Sequence, residues 1–164
     1  MDVLLWTAWT GICATLVLDA WSLVRRVLFG VPAPDYGLVG RWLAHMLDGR
    51  FRHPSIRNAP AIPHERLLGW VAHYATGVAF AALLPALWGT AWSRAPTPAA
   101  CLVVGIGSVL APFLLMQPGM GAGIAASRTP DPSAARVNSL LNHAVFGFGL
   151  YLAALAAHTC QGVL

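Results

Sequence analysis

Four apolar runs, at about residues 3–24, 67–88, 98–116 and 135–157, dominate this sequence, and each is close to the ~20 residues that carry an α-helix across a bilayer core. Inside lipid there is no water for backbone amides and carbonyls to bond, so such runs must close their hydrogen bonds within themselves, as helices. Composition agrees: 57% of the residues are apolar and 10% charged, outside the range of a water-soluble globule. The expected fold is all-α, one polytopic membrane domain over residues 1–164 built as a four-helix transmembrane bundle.

All ten basic residues are arginine. Arg25, Arg26, Arg41, Arg50, Arg52, Arg57 and Arg66 lie in or bound the first connection, Arg128 and Arg136 the third, and only Arg94 the second. Positive residues collect on the cytoplasmic side of a membrane, so both termini are expected on the opposite, periplasmic side. The arginines flank apolar runs and do not alternate with exposed aromatics, which makes the lipid bilayer, and no nucleic acid, the expected partner. The first run follows Asp2 without a basic residue and precedes Arg25 and Arg26 without a small-residue cleavage site, so it reads as a retained anchor. Trp6, Trp88 and Trp92 are expected at the outer interface, and Trp21, Trp42 and Trp70 at the inner one, as an aromatic belt.

Within the first connection Leu38, Val39, Trp42, Leu43, Met46 and Leu47 recur at helical spacing opposite Gly40, Arg41, His45 and Asp48. The pattern predicts an amphipathic helix at about 36–48 lying along the interface, followed by an irregular strap, "FRHPSIRNAPAIPHER". The third run does not stop where a membrane would. From Pro98 to Ala126 one straight helix would be ~43 Å long, against a core of ~30 Å. A kink near Pro112, a break at Gln117–Gly119 and a short small-residue helix ended by "TPDP" are expected. Gly119, Gly121 and Gly123 do not make a dinucleotide fingerprint, because Ile124 stands where the third glycine belongs. Gly119 with Gly123, and Ala122 with Ala126, are spaced to form a contact face for another helix.

Three spans carry a polar stripe at intervals of four: Thr7, Gly11, Thr15 and Asp19; Gly69, His73, Gly77 and Ala81; Ser139, His143, Gly147 and Tyr151. Residues four apart share a helix face. At ~1.5 Å per residue, Asp19, His73 and His143 fall at one depth, roughly 8 to 12 Å inside the cytoplasmic face. Asn142 and Gln117 come near the same level. A buried polar cluster of Asp19, His73, His143, Asn142 and Gln117 is therefore expected, with Pro118, Gly119, Gly121, Gly123 and Arg128 as its lid.

Ionisable groups within spans are costly and face the bundle interior, so the cluster needs a use. It admits three. Asp19 can pair with a histidine or with Arg26 while the amides bond between helices as structural glue. Asp19 and the histidines can relay a proton or bind a small polar solute. Or the cluster can hold a cofactor: haem between His73 and His143, with Gly69 and Ser139 leaving room for the macrocycle, or a metal on His73, His143 and Asp19. Catalytic patterns are missing: "HERLL" has Leu68 where a zinc protease needs its second histidine, and no nucleophile elbow or phosphate loop occurs. No catalytic residue is assigned. Cys13, Cys101 and Cys160 have no metal-site spacing and read as small buried hydrophobes. The loop histidines His45, His53 and His64 read first as solvated or headgroup-facing residues, with a metal or lipid-headgroup role as the alternative.

The segments "VGRW" (39–42), "ERLLGWVAHYATGVAFA" (65–81) and "LAPFLLMQPGMGAGIAASRTPDPSAAR" (110–136) resemble a family of small bacterial inner-membrane proteins known as domain of unknown function 2938. The resemblance covers nearly the whole chain and implies four membrane helices in the inner membrane, without an activity. The sequence thus describes a non-catalytic binding or transport-related module, or an accessory subunit of a larger membrane complex or a homo-oligomer. Haem or metal binding, and proton-coupled transport of a small solute, stand as alternatives.

Overall fold

Short acidic side chains set the helix starts. Asp2 precedes α1 (Val3–Phe29) and its carboxylate accepts from the Leu4 amide at 3.4 Å; Gly30, at φ 65°, closes the other end by returning its N–H to the Arg25 carbonyl. Asp35 caps α2 (Tyr36–Leu47) through the Gly37 amide at 3.0 Å. Asp131 accepts from the Ala134 amide at 2.9 Å, and Pro132 opens the last helix, α6 (Pro132–Gln161). "TPDP" therefore begins a helix, where the sequence reading had it end one. Between them lie α3 (Glu65–Trp88), α4 (Pro98–Gly107) and the short α5 (Gln117–Met120).

The computed structural model describes the backbone of residues 2–161 and the side chains of 2–159. Among these there is no strand, and four stretches, Val3–Phe29, Glu65–Trp88, Pro98–Met120 and Pro132–Thr159, are long and apolar enough to cross a membrane. They coincide with the four expected spans; α1 continues past Val24 to Phe29. The side chain of Cys160 lies outside the described set.

The described residues gather into two compact units, one of residues 2–33, 74–108 and 141–161, the other of 34–73 and 109–140. In the first, parts of α1, α3, α4 and α6 pack around Ala14, Ala81, Leu84, Cys101, Phe146 and Leu150. The helices approach through small residues: a Cβ on Gly11 would lie 2.5 Å from the Val78 Cα, and one on Gly105 would strike the Gly147 Cα. Close backbone approach through such residues is the usual means by which helices associate where lipid removes the hydrophobic drive. Trp6 is buried and meets Trp92 edge to face at 6.1 Å, so it is a core residue of this unit instead of a belt residue.

The second unit holds α2, the strap, the first turns of α3 and residues 109–140. Here α2 crosses α3 with backbones touching: a Cβ on Gly40 would strike the Glu65 carbonyl, and one on Gly69 the Tyr36 carbonyl. The third span stays helical beyond the expected break. Over Pro112–Met116 it widens into a π turn, in which the Gln117 amide reaches back five residues to the Pro112 carbonyl. Pro112 has no N–H to give the preceding turn, and a π register absorbs the missing bond without ending the helix. Pro118 is taken into the first turn of α5, and the stop comes at Gly121, whose φ of 96° no helix can continue. Beyond it, in place of the expected small-residue helix, there is one 3₁₀ turn, Ile124–Ala126, with Ala125 at φ 47°.

Candidate functional site

Of the residues expected to share one polar layer, Asp19, Asn142 and His73 each have a hydrogen-bond partner within their own unit. In the first, the Tyr74 hydroxyl donates to Asp19 Oδ2 at 2.8 Å, joining α3 to α1. Arg25 donates through Nη1 to Asn142 Oδ1 at 2.9 Å, joining α1 to α6, and its guanidinium lies 6.0 Å from the Trp21 ring centroid. Arg25 is buried and Arg26 exposed, which reverses the expectation that Arg26 is the inward arginine. α1 turns by about 100° per residue, so one position decides which of two neighbours faces the interior. His143 is half-buried on α6 of the same unit.

In the second unit His73 is held by α2. Its Nε2 lies 3.0 Å from the Tyr36 hydroxyl, the two rings stack at 4.2 Å, and Trp70 adds an edge contact at 5.7 Å. The space beside Gly69, expected to accommodate a macrocycle, is taken by the Tyr36 carbonyl. The Tyr36 hydroxyl thus occupies the nitrogen through which His73 would ligate a haem. Among the described residues no three His, Cys, Asp or Glu side chains come together as metal ligands. Gln117 contributes a buried Oε1 without a hydrogen-bond partner.

The segment expected as a lid closes on α2 and the strap within its own unit. Gly119 is buried against the Trp42 indole, and its carbonyl accepts from the His53 amide at 2.8 Å. A Cβ on Gly121 would strike the Pro54 carbonyl. The amide of Arg128 donates to the Ala122 carbonyl at 2.8 Å, folding Gly123 between them, and Pro118 sits in α5. These small residues fill tight places in a turn, and they form no helical face for a partner.

What fixes the strap is Arg41. Its Nε and Nη2 grip the Glu65 carboxylate at 2.8 and 2.7 Å, and Nη1 donates to the carbonyls of Ile56, Arg57 and Ala59 at 3.4, 3.3 and 3.0 Å. The Glu65 hydrogen bonds hold the Arg41 pKa above its usual value. Glu65 also accepts the Ile62 amide at 3.0 Å. One side chain therefore ties α2, α3 and a connection that has almost no regular structure of its own. Beside this brace, His45 is almost fully buried; its Nε2 lies 3.0 Å from the Pro60 carbonyl, and its ring meets that of His53 edge to face at 5.0 Å. Neither His45 Nδ1 nor His53 Nε2, both buried, has a hydrogen-bond partner.

Sequence reasoning passed over Arg41, Glu65, Tyr36 and Tyr74 as site residues. Arg41 fell on the polar face of an amphipathic helix, and nothing in its spacing distinguishes a solvated arginine from one that organises a loop. The HER sequence at 64–66, dismissed as a failed protease motif, marked the glutamate that matters.

These features define a class: an all-α protein with four helices suited to span a membrane and a braced, largely irregular segment joining the first two. The chain belongs to the family described as protein of unknown function (DUF2938), whose model matches residues 8–157. No curated protein and no solved structure matches it.

Proposed function

We propose that this protein is a non-catalytic membrane module that binds a ligand through its second unit, at the strap braced by Arg41. The observation that carries this reading is the set of Arg41 bonds, which fix a long connection in one conformation. Long connections without regular structure are most often functional or disordered, and this one is ordered by an arginine. A loop held in place before the ligand arrives spares the ordering cost of binding. Unpartnered ring nitrogens beside the brace supply polar atoms for a ligand to satisfy.

The arginine distribution supports placing this unit in the cytoplasm of a bacterial cell, at the inner membrane, with both termini periplasmic. Native mass spectrometry of protein released from a mild detergent tests the binding reading. We expect wild type to carry a bound small molecule, ion or partner chain, and Arg41→Ala to lose it. A bare chain in both proteins would argue against it.

A transport reading draws on the Tyr74 to Asp19 hydrogen bond, a carboxylate and a phenol within one span layer that could pass a proton. Proteoliposome flux that persists in Asp19→Asn excludes that use, and leaves the bond a structural tie between α1 and α3.

A further inference from the structure

The buried imidazole pair at the brace has a chemistry of its own. A carbonyl only accepts, so the contact of His45 Nε2 with the Pro60 carbonyl at 3.0 Å requires Nε2 to carry the proton. In the neutral ring His45 Nδ1 is then a bare lone pair, on a side chain only 3% exposed, with no donor to satisfy it. Unmet buried nitrogens of this kind cost stability unless something fills the gap. His53 supplies a second such nitrogen, Nε2, on a ring in contact with the first.

We propose that His45 Nδ1 and His53 Nε2 together bind one divalent metal ion of the imidazole-preferring class, Zn²⁺ or its neighbours Co²⁺, Ni²⁺ and Cu²⁺. The inference deepens the binding reading above, on which it rests, by naming the ligand. Three observations favour an ion. Two imidazoles bound at about 2.1 Å to one metal, at an angle near tetrahedral, place their ring centroids about 5 Å apart; those of His45 and His53 are 5.0 Å apart, with planes at 87°. Metal-bound histidines commonly donate their other ring N–H to a backbone carbonyl, which fixes tautomer and orientation; Pro60 does this for His45. Both histidines are also held by backbone that the brace organises. Arg41 bonds the Ala59 carbonyl next to Pro60, and the His53 amide is anchored on the Gly119 carbonyl. Two protein nitrogens fill two coordination positions of the ion and leave the others to water or to a small anionic or nitrogenous ligand. Oxygen-preferring Mg²⁺ and Ca²⁺ do not suit the pair.

The test uses the full chain in detergent, freed of any affinity tag, stripped with a chelator and titrated with Co²⁺ and then Zn²⁺. Expected is one saturable site, visible as a Co²⁺ d–d absorption that Zn²⁺ displaces. Affinity should fall at least tenfold in both His45→Ala and His53→Ala, and stay unchanged in His64→Asn, where the positive φ suits asparagine. Thermal unfolding of the metal-free variants reports whether they fold. His53 is only half-buried, so His53→Ala carries the test if His45→Ala is unstable. A wild-type chain with no saturable site below about 1 mM overturns the proposal, the result expected if an ordered water bridges the two nitrogens. Equal binding in wild type and a folded His53→Ala overturns it as well. If native mass spectrometry still finds another bound molecule in the absence of a metal site, the metal assignment fails and the binding reading stands.

Discussion

At the scale of single residues, the arginines divide into those that orient and those that build. Arg41 forms five hydrogen bonds to groups on α3 and the strap, using the planar fork that distinguishes arginine from lysine. Arg41→Lys keeps the charge and loses the bidentate grip, so it should behave nearly as badly as Arg41→Ala. Both are expected to lower stability by about 2 kcal/mol, because carbonyls and a carboxylate are left without a donor. Thermal unfolding in detergent checks this, and a lysine variant as stable as wild type would mean that charge alone matters. Arg25 is a smaller version of the same economy. Asn142→Ala removes its acceptor at 2.9 Å and should cost about 1 to 2 kcal/mol, whereas Arg26→Ala, at an exposed position, should change stability by less than about 0.5 kcal/mol. Sequence alone placed Asp19, His73 and His143 on inward stripes; it could not choose between Arg25 and Arg26, nor see that tyrosines would supply partners to Asp19 and His73. A four-residue repeat gives the face of a helix and says nothing of what the opposite helix presents.

At the scale of elements, the spans were legible because hydropathy and length alone specify them, and their glycines because repeats of small residues mark close crossings. The Gly40 and Gly69 crossing was half legible: Gly69 belonged to a stripe, but Gly40 looked like a polar-face filler of α2. Gly40→Ala and Gly69→Ala should each cost about 1 to 3 kcal/mol or more through overpacking, since the obstacles are backbone carbonyls that cannot rotate away. The double variant should be less destabilising than the sum of the two, because once the helices have been forced apart the second methyl meets an opened crossing. The third span was misread at its end. Counting residues against bilayer thickness required a break, and proline was taken as its site, yet the chain met the constraint by widening its register at Pro112–Met116 and stopping at Gly121. Pro112→Ala should therefore be tolerated, restoring a donor to the turn before it. Gly121→Ala should not be, since it combines a left-handed φ with a clash against the Pro54 carbonyl. Chemical unfolding curves separate the two, and equal midpoints would remove Gly121 from its role as the stop.

At the scale of the whole molecule, charge and apolar length settle different questions. The spans fix how many times the chain crosses, and an odd or even count of crossings decides only whether the two ends share a side. Which side follows from the arginines. Seven of the ten lie in or bound the first connection and one in the second, and the bias carries the proposed orientation. Arg57 and Ala95 are both exposed, one in each of these connections, and each can be exchanged for cysteine without touching a side-chain bond: it is the backbone carbonyl of Arg57 that Arg41 uses. The native thiols of Cys13 and Cys101 lie within spans, with Cys101 fully buried. With Cys160 replaced by serine, a membrane-impermeant maleimide should label Ala95→Cys in intact spheroplasts and Arg57→Cys only in inverted vesicles. The opposite pattern would put the strap, and with it the imidazole pair, in the periplasm, where the metal ions and ligands on offer are different. The orientation thus decides which pool of ligand the braced loop meets, and labelling at these two positions is enough to decide it.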